Sequence, residues 1–479
     1  MKFTKSVSLN LLALLAISLL AACSSDSGND PTAPEVTGER LTIFFINDPH
    51  GRINNFAKVK HIVDAERANN EVLLVSAGDL FSGNPIVDQH PEKGSPMIDL
   101  MNQAGFDISV MGNHEFDYGL ATLQERVDQS DFPWILANME VGDTEMAQPD
   151  PYKTLTVGEL KITFLGLVET NGQDGKTIPS THPWRVRGLT FTEHGPVADQ
   201  YGGLKAQEGA DLVIGLTHLG LTADLALARS HSYFDVIIGG HSSNISTDVV
   251  NGTPVLMAGA NLDYLGKIEL TISDQRVLSW DISMINLNEY NQADAILQRA
   301  VENYNATPLF DQVVGTSQSN MDLPPEVGCF FTTAIKSYLQ VDVAFQNHGG
   351  IRAPIDQGDI TKMEIYTMDP FNNGSVIFTR SVGDLKRFLM ETRAAMHFTG
   401  VDISNSGGSL SFKDENGNEL DDNTMLRLGM NDYIAAIYED YFPFEEAEIR
   451  NKTTAESIID YLDAAGEVNF EGCDRTVRY

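Results

Sequence analysis

Positive charge is scarce in this chain. Its 32 Lys and Arg stand against 67 Asp and Glu, a formal net charge of −35 at pH 7. That balance excludes nonspecific binding to a nucleic-acid backbone, so no nucleic-acid polymer is expected as a partner. It also means that an anionic substrate needs a local basic or metal site. Cysteine is nearly absent: Cys23, Cys329 and Cys473 are the only three. Their spacing excludes a cysteine-rich zinc site, and in an oxidising compartment Cys329 and Cys473 could form one disulfide. Beyond the first residues no apolar run is long enough to cross a bilayer.

The run at the start, itself too short for a comfortable spanning helix, reads as a targeting segment. Lys2 and Lys5 precede the short apolar stretch Leu11 to Leu20, the layout of a signal peptide. Leu20-Ala21-Ala22-Cys23 resembles a bacterial lipobox, whose Cys becomes the lipidated first residue. Ser24 after it leans towards the outer membrane. Residues 1–23 are therefore expected to be signal peptide and lipobox. Residues 24–39, rich in Ser, Asp, Gly, Pro and Thr, read as a flexible tether. The expected location is the cell envelope, lipid-anchored at the outer membrane or the periplasmic face.

The remaining chain, roughly 440 residues, is too long for one core. From Leu41 to about Asn288, apolar strands alternate with loops and helical patterns such as Phe56-Ala68. The expected strands are Leu41-Ile46, Val72-Ser76, Ile108-Met111, Trp134-Ala137, Ile162-Val168, Leu212-Leu216, Val236-Ile238, Val255-Met257 and Ile268-Ile272. Several are apolar throughout, as when both faces of a sheet are covered. That pattern predicts an α/β domain of stacked sheets with helices outside.

Polar residues with chemistry sit where five of these strands end. Asn47-Asp48-Pro49-His50-Gly51 follows the first, and Gly78-Asp79-Leu80-Phe81-Ser82-Gly83 the second. Gly112-Asn113-His114-Glu115-Phe116-Asp117-Tyr118-Gly119 follows Met111. Thr217-His218-Leu219-Gly220 and Gly239-Gly240-His241-Ser242-Ser243 close the set. Ligands of open α/β sheets bind beyond the carboxyl ends of strands. Each His or Asp alone would more often be structural, but five such loops in order are hard to read that way. A donor set of Asp, Asn and several His suits zinc, manganese or iron and is too rich in imidazole for calcium. One carboxylate can bridge two ions about 3.5–4 Å apart, the geometry of two-metal phosphoester hydrolysis. Asp117, three residues after His114, can orient that imidazole if the turn is helical.

The ordered set D-x-H, G-D-x₃-G, G-N-H-E-F-D, T-H-x-G and G-G-H resembles the calcineurin-like metallophosphoesterases, and more narrowly the 5'-nucleotidase family. The resemblance implies an N-terminal four-layer α/β-β/α metallophosphoesterase domain and a second, smaller α/β substrate-binding domain. It implies two divalent metal ions, Zn, Mn or similar. Asp48, His50 and Asp79 would hold one; Asp79, Asn113, His218 and His241 would hold the other, with Asp79 bridging. His114 would face the phosphate from outside the metal shell, paired with Asp117. Two residues after His241 the family has His or Gln, whereas this chain has Ser243. The first metal is therefore expected to be weak, or to take Asn244 or water.

Glu289-Asn305 has helical spacing, and in the resembled family a helix here joins the two domains. The expected layout is 40–288 for the metallophosphoesterase domain, 289–309 for the linker helix and 310–479 for the C-terminal domain. Asn347-His348-Gly349-Gly350-Ile351-Arg352, Pro370-Phe371-Asn372-Asn373 and Asn431-Asp432-Tyr433 resemble that family's substrate-domain motifs. Arg352 can fork onto a phosphate. Phe371 and Tyr433 offer flat faces for a base. Asn347 and Asn373 can pair with base or ribose edges. The G-G-D-G expected after Tyr433 is replaced by Ile437-Tyr438-Glu439-Asp440. Glu439 then stands where the family's ribose-binding Asp would be, and no second arginine is evident. The resemblance implies a lipid-anchored phosphohydrolase of extracellular or periplasmic nucleotides. A 2',3'-cyclic nucleotide phosphodiesterase, a nucleotide-sugar hydrolase, or a catalytically impaired substrate-binding lipoprotein are the alternatives.

Overall fold

The computed structural model describes residues 38–173, 175–322 and 324–479. The expected signal segment, Cys23 and all but the end of the tether lie outside the described residues. Glu39, placed at the tether's end by composition, already pairs with Ile272 in a sheet. No described helix is long and apolar enough to cross a membrane.

Two six-stranded sheets build the first half. One runs, in spatial order, Arg276–Asn286, Tyr264–Ser273, Glu39–Ile46, Val72–Ser76, Ile108–Val110 and Trp134–Ile135. The other runs Ile245–Val250, Thr253–Ala258, Val236–Gly239, Leu212–His218, Leu160–Val168 and Tyr152–Val157. Their inner strands pair in parallel, with Ile43 beside Leu73 and Ile214 beside Val236. Parallel pairing puts the carboxyl ends of all these strands on one side, which is why the five polar loops meet. Ile46, Leu74 and Ile108 of one sheet share a buried cluster with Ile162, Leu216 and Ile238 of the other. Helices Phe56–Arg67 and Ser95–Ala104 cover the first sheet, while Leu227 and Ala228 of helix Leu221–Ser230 pack on the outer face of the second. The result is the expected helix, sheet, sheet, helix stack.

The strands missed from sequence are edges. Tyr152–Val157, Ile245–Val250 and Arg276–Asn286 are largely exposed or half-buried along their length, so they carry no continuous apolar run. The helix expected over Glu289-Asn305 begins later, at Ala295. Asp294 stops it from extending backwards: its carboxylate caps the amides of Ile296 and Leu297 at 3.0 and 2.8 Å. Leu297 and Val301 of this helix bury into the first core.

The second half centres on a five-stranded sheet: Met396–Thr399, Val343–Asn347, Met425–Asn431, Gly374–Ser381 and Glu448–Thr453. Helices Pro324–Leu339 and Thr454–Ala465 pack on one face, and Val382–Thr392 on the other. Cys329 and Cys473, 144 residues apart, are bonded as a disulfide. The pair ties helix Pro324–Leu339 to the C-terminal tail.

Candidate metal centre and substrate cleft

The strand-end loops are bent tightly enough to need unusual backbone. Asp48, His50, Asp79 and His241 all have positive φ, 49°, 45°, 57° and 72°. Left-handed conformations cost non-glycine residues free energy, and they cluster where function requires a side chain to be aimed. Two glycines make the crowding possible. A Cβ on Gly112 would lie 2.4 Å from Asp79 Oδ1, and one on Gly240 would lie 2.5 Å from the Ala77 carbonyl.

His218 donates from Nδ1 to the Ala77 carbonyl at 2.7 Å. That bond sets the proton on Nδ1 and leaves Nε2 facing Asp79 Oδ2 at 3.0 Å. The Asn113 amide donates to the Ser180 carbonyl at 2.9 Å, which turns its oxygen the other way. Asn113 Oδ1 then lies 3.2 Å from His218 Nε2 and 2.9 Å from His241 Nδ1. Asp79, His218 and His241 thus point donor atoms at one spot, all within 4.8 Å of one another. Oxygen and nitrogen donors converging in this way fit a divalent transition metal.

The neighbouring set is looser. His50 Nε2 lies 3.9 Å from Asp48 Oδ1 and 4.0 Å from Asp79 Oδ2. Asp48 also accepts from Asn47 Nδ2 at 2.7 Å and from the His241 amide at 3.0 Å. Ser243 and Asn244 are both exposed. His114 instead brings a ring nitrogen within 4.8 Å of the His50 and Asp79 donors.

Burial opposes charge throughout this centre, and the neighbours decide the outcome. Burial pushes the Asp48 carboxyl up to about 7, against the pull of His218. Burial works against a charged His218, yet the Asp79 carboxylate outweighs it and raises that ring to about 10. His114 is likewise raised to about 10: burial opposes it, and Asp117 and Asp79 prevail.

The turn carrying His114 is a 3-10 helix, His114–Tyr118. Its pitch stacks Asp117 against the imidazole, with Asp117 Oδ2 2.6 Å from His114 Nδ1. The hydroxyls of Ser82 and Thr181 also donate to Asp117. Asp117 is thus fully engaged in holding the ring, and His114 Nε2 is left to act.

Glu115 is a structural member of the site that its sequence neighbours concealed. Fully buried, it accepts from the amides of Leu80, Asp79 and Gly112 at 2.6, 3.0 and 2.5 Å. It fastens two metal loops together. Glu115→Ala would orphan three buried amides, each worth about 1–3 kcal/mol. A loss of about 3 kcal/mol or more in unfolding free energy is expected, with Glu115→Gln in between. Chemical denaturation in chelator measures it free of metal effects; an unchanged midpoint would contradict the fastening role.

A cavity of about 270 Å³ opens beside His114 and Asp117. Asn347, Arg352, Phe371, Asn373 and Tyr433 all line it from the second half. All five substrate residues expected from sequence are thus gathered at the same cleft. Ser180, Thr181, His182 and Arg185 complete it from the first half. The Arg352 guanidinium lies 5.7 Å from the Phe371 ring centre, and His182 meets Tyr433 edge-on at 5.7 Å. Glu439 corrects the sequence expectation. It is absent from the cavity wall and pairs with Arg187 at 2.7 Å and Lys176 at 3.7 Å. Arg185, on the short 3-10 helix Pro183–Val186, was not singled out from sequence; a lone Arg outside any motif gave no signal.

A family model of the calcineurin-like phosphoesterases matches residues 41–243, and one of the 5'-nucleotidase C-terminal domain matches residues 310–443. The chain belongs to the 5'-nucleotidase family. Among relatives of this 5'-nucleotidase-family enzyme is the trifunctional nucleotide phosphoesterase protein YfkN of Bacillus subtilis, 25% identical over 80% of this chain. The match spans only 29% of that longer protein. A 5'-nucleotidase of Vibrio parahaemolyticus is 26% identical over 76% of each chain. The fold is shared with a 5'-nucleotidase precursor from Thermus thermophilus, at a TM-score of 0.68 and 22% identity over 90% of this chain and 97% of that one. Calcineurin-like phosphoesterases use divalent metals, and the converging donors above are candidates to hold them.

Proposed function

We propose that this enzyme releases phosphate from nucleotides at the cell envelope, anchored by lipid on Cys23. The observation that carries the reading is convergence. A metal-donor cluster, a histidine held by a buried aspartate, and a cavity with Arg352 and two aromatic rings share one cleft. Asp48, His50 and Asp79 would hold one divalent ion, and Asp79, Asn113, His218 and His241 a second. Such ions bind phosphate oxygens and lower the pKa of a bound water. His114, kept protonated by Asp117, donates from Nε2 to a phosphate oxygen or to the leaving oxygen. Arg352 forks onto the phosphate. Phe371 and Tyr433 flank a flat base, and Asn347 and Asn373 meet its edges or the ribose.

A panel of mono-, di-, cyclic and sugar nucleotides, assayed with manganese or zinc, tests this reading. Phosphate release from a nucleoside monophosphate is expected to lead. Turnover confined to cyclic or sugar nucleotides would reassign the substrate, and no turnover with any metal would leave a binding protein.

The loose first cluster gives a further expectation. Ser243→His adds an imidazole that is neutral and free to bind near pH 7. Tighter metal retention under mild chelation, and activity at lower added metal, are expected. Identical titration curves for the two proteins would mean that His114 or another donor already completes that site.

A further inference from the structure

Phe371 and Asn373 both line the cleft, and Asn372 between them does not. Asn372 holds a left-handed backbone, φ 53°, so the turn needs something to keep it. On its own half, the loop is fastened at its ends: Thr454 bonds to the Asp369 carboxylate, and its amide donates to the Asn373 carbonyl at 2.9 Å. The middle of the loop is gripped from the phosphoesterase half. Arg185 Nη2 donates to the Asn372 carbonyl at 2.9 Å. Both Nη atoms of Arg185 reach the Phe371 carbonyl, at 3.3 and 3.2 Å. Lys93 Nζ and Gln89 Nε2 donate to Asn372 Oδ1 at 2.7 and 2.8 Å.

We propose that Arg185, seconded by Lys93 and Gln89, is a positioning residue that sets the Phe371 ring and the Asn373 amide at their working distance from His114. The selectivity of the cleft for ring-bearing phosphoesters is then built from the metal-bearing half, across the domain boundary. Arginine suits the task because its planar fork reaches two successive carbonyls at once; lysine reaches one. Arg185 acts through backbone it holds, and its guanidinium is committed to those carbonyls. The inference rests on the nucleotide reading for the identity of the substrate and on geometry alone for the grip.

The test compares wild type with Arg185→Ala, Arg185→Lys and Lys93→Met. Steady-state kinetics use AMP and glycerol phosphate, a monoester without a ring. Amide hydrogen exchange over residues 369–373 is followed in the same proteins. In Arg185→Ala the kcat/KM ratio of AMP to glycerol phosphate should fall about tenfold or more, mainly through KM for AMP, with faster exchange in the loop. Arg185→Lys should restore part of the ratio, and Lys93→Met should shift it in the same direction by less. Equal losses on both substrates with unaltered exchange would overturn the proposal and place Arg185 on the phosphate. An unchanged ratio would overturn it as well. If wild type turns over neither substrate, the nucleotidase reading fails by itself. Exchange then decides the grip: a loop no faster in Arg185→Ala than in wild type would end it.

Discussion

Asp79→Asn should weaken the two proposed metal sites together, and the activity with them. Asp79 is buried between the two donor clusters. Its Oδ1 accepts from the His114 amide at 2.9 Å. Its Oδ2 faces His218 Nε2 at 3.0 Å and His50 Nε2 at 4.0 Å. An asparagine must keep its oxygen on the His114 amide, so its NH₂ takes the place of Oδ2. A donor then points where cations would bind, and the charge shared between them is gone. Loss of outer-shell partners alone costs roughly 10–100-fold in metal affinity, and loss of a bridging ligand should exceed that at both sites. Elemental analysis after dialysis measures it. If one ion is retained at wild-type affinity, Asp79 does not bridge.

His114→Ala should do the opposite, cutting turnover about 10²–10⁴-fold while metal content stays near wild type. The reason is the ring's commitment. Nδ1 is given to Asp117, and Asp117 is itself fixed by Ser82 and Thr181. What remains is one nitrogen, on a ring held charged well above neutral pH. The proximity of His114 to His50 and Asp79 makes the contrary outcome meaningful. Metal lost from His114→Ala would move this residue into the first site and explain how that site manages with Ser243.

The inner strands were legible because both of their faces are covered. Val72–Ser76 and Leu212–His218 are buried at every position, and a chain buried on both faces must be apolar at every step until its end. The metal loops were legible for a related reason. Asp48, Asp79, Asn113, His218 and His241 each break an apolar run abruptly. Residues whose role lies in a contact made across the fold left no such mark. Glu115 resembles any acidic turn residue until Leu80, Asp79 and Gly112 are brought to it. Arg185 is 186 positions from the Phe371 carbonyl it holds. Glu439 was misplaced because position within a motif stood in for geometry; Arg187 and Lys176, far away in sequence, draw it aside. The start of helix Ala295–Asn305 was misjudged because periodicity outweighed a capping aspartate that was visible at Asp294.

Phosphate release from AMP by metal-stripped protein, titrated with Mn²⁺ or Zn²⁺ and read beside metal content, bears most directly on two-metal nucleotide hydrolysis in this cleft. Activity should rise from near zero with added metal and level off as the bound content reaches two ions per chain. Undiminished release from the stripped protein, or none at any metal concentration, would contradict it.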